Sequence, residues 1–575
     1  MNYYCGIHKG HNSSAVMLGE DGKISKAIEE ERLTRVKMQG GFPALSLDFV
    51  KEKNIKGIAT GQLSRKRYLL RFAKFYLQSL SKNLTGPNLS NMQSMFMDYV
   101  SANPSKAAKS AQMEKFKEIE GQEKKLAEFS AQNNVQLQYF DHHFCHAASA
   151  YYPSGFKNAL IMTVDGQGDC YSATIYEGKD GKLERLKYFF QNENTLGMDY
   201  EIVTAMLGFN PLKHAGKITG LAAFGKSNSR CIARLEKFLK SFRQRKTKKG
   251  FFSNHYYYLN TVEGIADLRK FRETFFGGFS REDIAFAIQT ITEQEIISML
   301  ESVEQDFSSK NIALAGGVFA NVKVNQRVKE LGFRNVFIQP AMNDAGVAIG
   351  AAYLALLKDR DLKPSALENS YFGPSWINEE IKKILDESRL KYQKDEEIES
   401  TVAGLVDKGK VVARFDGRME FGPRALGHRS ILYHTRDRKI NDWLNKRLKR
   451  TEFMPFAPSS LAEFADKCYV NVKGAEHPAH FMTMCFDCTP WMQDACPAVV
   501  HVDNTARPQL VDKKTDASYY KIIKEYYKLT GIPVIVNTSF NMHEEPIVCT
   551  PQDAIRSFKQ GHLDYLAIGS FLLKG

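Results

Sequence analysis

No apolar run in this 575-residue chain approaches the roughly 20 residues needed to cross a bilayer, and its first residues lack the layout of a secretory leader. A membrane partner is therefore not expected, and a cytoplasmic setting is. Cysteine is sparse: nine residues, scattered without the spacing of a disulfide framework, which fits a reducing compartment. Cys485 and Cys488 form one CxxC with no second pair nearby, which argues against a zinc ribbon. What the chain has in excess is positive charge, with 79 Lys and Arg against 65 Asp and Glu and a sequence pI near 9.1. That balance favours polyanionic or phosphorylated ligands. The length is too great for one hydrophobic core and calls for two or three domains of ordinary globular composition.

The stretch from Val135 to Leu183 organises the rest. Val135 to Tyr139 alternates apolar and polar residues, as a half-buried strand does. Asp141 is a suitable N-cap for a small-residue helix, on which His142 and His146, four apart, share one face. The apolar strand Ala159 to Val164 then ends in Asp165-Gly166-Gln167-Gly168-Asp169. A histidine pair at this spacing is more often surface or hydrogen-bonded core than a metal site. The glycine-rich acidic turn on a buried strand shifts the reading toward metal or phosphate chemistry.

An internal repeat is visible. Ala15-Val16-Met17-Leu18 runs into an Asp-Gly-Lys turn and an aliphatic residue, and Ser172 to Leu183 repeats the phrase. Two such hairpins predict two related halves around a shared cleft. Glu29 to Lys37 reads as a solvated charge cluster. Arg65 to Tyr76 interleaves cations with aromatics, as an amphipathic surface helix or a nucleic-acid contact does. Lys213 to Lys226, which contains Lys217, is glycine-punctuated and basic but lacks P-loop spacing. Residues 234 to 249 read as a solvated basic helix and loop. The strand Asn311 to Ala315 opens into Gly316-Gly317-Val318-Phe319-Ala320-Asn321, suited to a nucleotide phosphate or ribose. Asp344 stands at a later strand-to-helix turn, where ligands bind in open α/β folds.

A polar, proline-containing segment from Lys358 to Glu368 marks the expected boundary between domains 1–360 and 361–575, the first with a helical insertion near 60–130. Beyond it, Gly417 to Ser430 crowds Arg418, Arg424, His428 and Arg429 into one glycine-rich loop, and Lys449 and Arg450 add cations. The strand Gly531 to Val536 opens into Asn537-Thr538-Ser539. Arginine clusters beside small polar turns suit bidentate phosphate recognition.

Taken in order, these phrases resemble the NodU/CmcH-type O-carbamoyltransferases, the family that includes the tobramycin and cephamycin tailoring enzymes. The strongest marks are His142 with His146, the Asp165 turn, Gly316 to Asn321, Asn343 to Gly346, Glu420 to Gly427, and Asn537 to Asn541. The resemblance spans nearly the whole chain and is weakest over roughly residues 60 to 130. It implies an α/β protein: a duplicated N-terminal domain of the actin-like ATPase (ASKHA) type followed by a YrdC-like domain. It also implies ATP and carbamoyl phosphate as substrates, Mg2+ with the ATP, and carbamoyl-adenylate made in the second domain and used at a metal site in the first. In that scheme His142, His146, Asp165 and Asp344 match the ligands of iron(II) or a similar divalent ion, and His11 matches a catalytic histidine. Lys217, Gly316, Gly317 and Asn321 fall on nucleotide-binding positions. Arg418, Arg424, Lys449, Arg450, Arg507, Asn537 and Ser539 fall where the family holds carbamoyl phosphate and adenylate, with Arg424 also catalytic. The chain departs from the family at Leu448, Thr451 and Met454, where Lys, Glu and Arg occur, and at Glu544, where glycine is frequent.

The expected activity is ATP-dependent O-carbamoyl transfer to a small hydroxylated acceptor such as a sugar, nucleoside or natural product. The second candidate acceptor, suggested by the basic charge and the Arg65 to Tyr76 segment, is a 5-hydroxymethyl-pyrimidine in DNA or its nucleotide. A homodimer is compatible with this reading. The competing classes are an ASKHA-type kinase or ATPase without carbamoyl transfer, and a non-catalytic nucleic-acid binder. Neither needs the Gly-Pro-Arg-Ala-Leu-Gly loop.

Overall fold

The computed structural model describes residues 1–64, 106–190, 195–244, 262–303, 309–448 and 454–575, with a few isolated positions between them. Two five-stranded sheets build the N-terminal part. The first comprises β1 (Tyr3–His8), β2 (Ser14–Gly19), β3 (Ile24–Glu29), β4 (Ile55–Thr60) and β5 (Leu137–Tyr139), in the order β3-β2-β1-β4-β5. The second comprises β6 (Asn158–Gly168), β7 (Tyr171–Lys179), β8 (Lys182–Phe190), β9 (Asn311–Ala315) and β10 (Asn335–Ile338), in the order β8-β7-β6-β9-β10.

Both sheets have an antiparallel meander of three strands followed by two parallel additions. Order and sense match strand for strand, so the N-terminal part is the duplicated actin-like fold. The repeated sequence phrase is the β2–β3 hairpin and its counterpart β7–β8. The Gly22 and Gly181 turns both have positive φ, and a Cβ on either would meet Leu362, at 2.8 Å and 2.4 Å.

Between the sheets lie two small-residue helices, His142–Tyr151 and Ala345–Leu356. The second is buried along its whole length. Their composition sets their spacing: a Cβ on Gly350 would stand 1.8 Å from the Cys145 carbonyl oxygen, and one on Gly6 of β1 would stand 1.8 Å from that of Ala348. Alanine and glycine thus let backbone meet backbone.

The C-terminal, YrdC-like part is a mixed eight-stranded sheet ordered β11-β20-β19-β12-β13-β18-β14-β17. Its strands are β11 (Gln393–Lys394), β12 (Val412–Phe415), β13 (Arg429–His434), β14 (Ala457–Leu461), β17 (Gln509–Val511), β18 (Val534–Ser539), β19 (Tyr565–Ile568) and β20 (Phe571–Lys574). The short pair β15 (Phe486–Asp487) and β16 (Thr505–Ala506) stands apart. Among the described residues no helix is long and apolar enough to cross a membrane.

Two expectations from sequence need correction. Glu29, Glu30, Glu31 and Arg32 are not a solvated face but buried. Arg32 Nε donates to Glu29 at 2.7 Å, its Nη1 lies 3.1 Å from Glu31, and its Nη2 donates to the Gly422 carbonyl at 2.9 Å. Glu30 accepts from the Ser46 amide and hydroxyl at 2.8 and 2.7 Å. Full pairing makes their burial tolerable. The strand before Asp165 also does not end there: β6 continues to Gly168 through a register break after Val164, so the acidic turn is a bulge inside a strand.

Candidate functional site

The His142–Tyr151 helix starts where Asp141 accepts from the Phe144 amide at 2.7 Å. It brings His142 and His146 onto one face, ring centroids 4.8 Å apart. The β6 bulge turns Asp165 toward them, and the N-cap of the Ala345–Leu356 helix supplies Asp344. His146 Nε2 lies 3.2 Å from Asp165 Oδ2 and 3.6 Å from Asp344 Oδ1. His142 Nε2 lies 3.7 and 3.5 Å from the same two carboxylates. One donor atom from each of the four residues falls within 4.8 Å of every other.

These residues fit a divalent cation. Two imidazoles and two carboxylates are a borderline-hard donor set whose charge a dication balances. His142 Nε2 is buried and makes no hydrogen bond. Burial opposes charge on His142, yet Asp344 and Asp165 hold its pKa well above the ordinary imidazole value. Burial likewise opposes ionisation of Asp344, and the charge on His142 outweighs it, leaving that pKa well below the carboxylate range. The cluster thus behaves as converged negative charge that recruits a positive group.

The surrounding residues hold this geometry. A Cβ at Gly168 would stand 2.2 Å from the His142 ring, so only glycine admits that imidazole. Asp169, pushed up to about 6 by burial and by Asp141, accepts from the His142 amide at 2.9 Å and from the Leu63 amide at 3.1 Å. His143 faces the other way, bonded to Thr163 Oγ1 at 2.8 Å and the Tyr171 carbonyl at 3.1 Å; burial takes its pKa down to about 3. Glu201, on the Leu196–Met206 helix, is pushed up to about 8 by burial and by Asp165 and Asp344.

One residue that sequence reasoning passed over stands beside the four. His8, at the end of β1, is buried, with Nε2 3.5 Å from Asp344 Oδ2 and 3.1 Å from the His11 carbonyl. A carbonyl only accepts, so Nε2 carries the proton and its N–H points at both oxygens. Strand parity held the signal: Gly6 and His8 share the face of β1 that meets the Ala345–Leu356 helix. His11 itself is exposed in the turn after β1, with Nδ1 3.2 Å from the Asn12 amide nitrogen.

The nucleotide candidates divide. Gly316 has φ 106°, and a Cβ there would stand 2.2 Å from the Val164 carbonyl, so this loop lies directly on β6. Gly317 abuts Asp165, whose Oδ1 would be 3.1 Å from an added Cβ. Asn321 caps the Val322–Glu330 helix through the Lys323 and Val324 amides at 3.2 and 3.3 Å, and its amide nitrogen donates to Gln289 at 2.8 Å. Lys217 is buried in the Ala215–Ala222 helix. That helix helps to line a cavity of about 280 Å³ between the two parts of the chain, with Gln289, Lys323, Phe456 and Arg507 on other walls.

The second cluster sits on the Gly-Pro-Arg-Ala-Leu-Gly loop. Glu420 Oε1 accepts from the Leu426, His428 and Arg429 amides at 2.8, 2.9 and 3.2 Å, fixing a loop whose Gly422 and Gly427 have φ of 116° and 111°. From it the partly buried Arg424 projects toward the first cluster, with Nη2 3.4 Å from the Ala320 carbonyl. Among the described residues its Nε is buried without a partner and no carboxylate pairs with it; burial together with the Arg507 charge holds its pKa well below the usual guanidinium range. Asn537 donates to Ala425, Ser459 and Gln509 at 3.2, 3.1 and 2.9 Å, while its Oδ1 is buried without a partner. Ser539 follows on the same strand. Arg418, by contrast, bonds the Gly373, Ser25 and Phe372 carbonyls at 3.2, 2.9 and 2.6 Å, and so joins backbone segments. Lys449 and Arg450 lie outside the described residues.

Glu544 has φ 61°, which explains why glycine suits this position. Its carboxylate meets His214 Nε2 at 2.9 Å and Lys213 Nζ at 3.2 Å across the two parts of the chain. Burial opposes its charge, but hydrogen bonds from these two residues take its pKa down to about 2.

Comparison with known proteins fits this arrangement to a family. Residues 3–353 match the family model described as Carbamoyltransferase N-terminus, and residues 403–574 match Carbamoyltransferase C-terminus. The chain belongs to the carbamoyltransferase family. Nodulation protein NolNO of Sinorhizobium fredii is 30% identical, over 98% of this chain and 79% of its own. Nodulation protein U of the same organism is 29% identical, over 70% and 72%. An uncharacterized Synechocystis protein, sll1178, is 32% identical over 100% of this chain and 97% of its own. Among solved structures, HypF of T. kodakarensis aligns at 13% identity and a TM-score of 0.30, covering 63% of this chain and 49% of HypF.

Proposed function

We propose that the chain is an ATP-dependent O-carbamoyltransferase that takes carbamoyl phosphate as donor and passes through carbamoyl-adenylate. The observation that carries this reading is Arg424. A cation in a partly buried site, beside Arg507 and without a carboxylate among the described residues, is costly unless an anion is bound. Its guanidinium reaches the loop of the other cluster, so an anion held there stands at the junction of the two parts of the chain.

In the first half-reaction water cleaves carbamoyl phosphate to carbamate and inorganic phosphate. A carbamate oxygen then attacks the α-phosphorus of ATP, and pyrophosphate leaves. Arg424 and Arg507 hold the anionic reactants together, and the buried acceptor Asn537 Oδ1 receives a carbamoyl N–H. ATP would occupy the cavity lined by Thr219, Gln289 and Arg507, next to the helix that carries Lys217, and Mg2+ would offset the charge of its phosphates. In the second half-reaction the acceptor oxygen bonds the carbamoyl carbon and AMP leaves. His11, in the turn that follows His8, takes the hydroxyl proton. His142, His146, Asp165 and Asp344 would hold a divalent ion, iron(II) by preference, whose charge would polarise the carbonyl and offset that of the departing AMP.

The test is product analysis. AMP and pyrophosphate should form from ATP only when carbamoyl phosphate is added. ADP formed without it would replace this reading with a kinase or ATPase. Arg424→Ala should stop pyrophosphate release. His11→Ala should leave it largely intact and block transfer, and equal loss in both variants would refute the two-site scheme.

A further inference from the structure

A cavity of about 420 Å³ on the N-terminal part is used by nothing described above. We propose that it binds a nucleotide, an aromatic base carrying a phosphate, a reading independent of the carbamoyl transfer proposed above. The volume falls within the roughly 300–1,000 Å³ of small-molecule sites. Its walls are Tyr139, Phe140 and Phe144 with Leu63, and its cations are Arg67 and Arg71.

The two arginines differ. Arg71 is committed: it pairs with Asp141, donates to the Asp169 carbonyl at 3.2 Å and lies 4.5 Å over the Tyr171 ring. Arg67 is exposed and makes no ion pair among the described residues. Asp141, the one acid among the described lining residues, is neutralised by Arg71 and accepts from the Phe144 amide. The lining is therefore three aromatic rings, aliphatic side chains and a net positive charge. Neutral sugars are held by several side-chain donors and acceptors at once, and this cavity has few to spare. A base stacks on aromatic faces whatever its sequence, and a guanidinium matches a phosphate. The cationic surface continues outward, since Arg185 lies 5.5 Å over Tyr171 and 5.2 Å over Tyr188.

The cavity and the metal-type cluster lie on different faces of the His142–Tyr151 helix, Phe144 lining the one and His142 with His146 the other. The Asp169 carboxylate ties the Leu63 amide of the cavity wall to the His142 amide.

The experiment is equilibrium binding to the full chain, with a saturating non-hydrolysable ATP analogue present so that the ATP cavity is filled. The probes are a pyrimidine nucleoside monophosphate, the same nucleoside without phosphate, glucose, and a short single-stranded oligonucleotide. The monophosphate should bind at least roughly tenfold more tightly than the nucleoside, and glucose should not bind. Arg67→Glu, at an exposed position, should erase the preference for phosphate, and Phe144→Leu should weaken nucleoside and nucleotide alike. A strand that binds more tightly than the monophosphate identifies nucleic acid as the source of the nucleotide; the reverse identifies a free nucleotide. Equal binding of nucleoside and monophosphate, or a preference that survives Arg67→Glu, overturns the proposal even if pyrophosphate release depends on carbamoyl phosphate. Phosphate-selective binding that Arg67→Glu removes, in a protein that releases no pyrophosphate, supports the nucleotide site and refutes the function proposed above.

Discussion

Arg424→Met should make the ligand-free protein more stable while it removes the first half-reaction. The wild-type side chain keeps a cation in a partly buried position with Arg507 near and, among the described residues, no carboxylate partner and no hydrogen bond to Nε. Its one hydrogen bond among the described residues, 3.4 Å to the Ala320 carbonyl, is too long to repay desolvation. Exchanging a poorly compensated buried ion for an apolar side chain of similar reach commonly stabilises by about 1–4 kcal/mol, and the partial exposure of Arg424 sets the expectation near 1–2 kcal/mol. Anions should reverse the order. Inorganic phosphate or pyrophosphate at one hundred times its dissociation constant adds about 2.7 kcal/mol to a protein that binds it and nothing to one that does not. Urea denaturation of both proteins, with and without phosphate, reads all four values. A variant less stable than wild type without phosphate, or an equal phosphate-dependent gain in the two proteins, would show that Arg424 is not held waiting for an anion.

Three further outcomes follow from the geometry. His146→Ala should lose most bound divalent metal, measured by elemental analysis after dialysis, while circular dichroism stays unchanged; full occupancy would remove the four-ligand assignment. Glu420→Gln weakens three charge-assisted bonds to backbone amides and should cost about 1–3 kcal/mol in chemical denaturation, with pyrophosphate release falling in step; unchanged release would mean that the loop does not place Arg424. Glu544 has a folded pKa near 2, below its ordinary value of 4.5, so its stabilisation is present above about pH 4.5 and is lost as pH falls toward 2. Glu544→Gln should flatten the acid limb of the stability profile, and an unaltered limb would assign that loss to other carboxylates.

Much of the first cluster was legible because its signals are local. Asp141 as a cap, the spacing of His142 and His146, and Asp344 at a helix start are each fixed within a few residues. The duplication was legible because both copies kept the same turn. What escaped depends on contacts across the chain. His8 gains meaning only when β1 is seen against the Ala345–Leu356 helix. Glu29 to Arg32 reads as a surface run until Gly422, far along the sequence, supplies the carbonyl that completes the Arg32 shell. Arg418 lies in the same arginine-rich phrase as Arg424, yet packing turns it onto the Ser25, Phe372 and Gly373 carbonyls.

The wholly buried helix Ala345–Leu356 also dictates an order of events during synthesis. β1 at Gly6 and the His142–Tyr151 helix at its alanines both leave room for it to approach the backbone closely. At about 5–20 residues per second a ribosome needs roughly 15–70 s to go from Gly6 to that helix. From Tyr139 to the end of that interval the first sheet has been made and its keystone has not. The growing chain must keep an open apolar seam from finding another partner, so the yield of folded protein depends on how it is sheltered while the ribosome completes the first 356 residues.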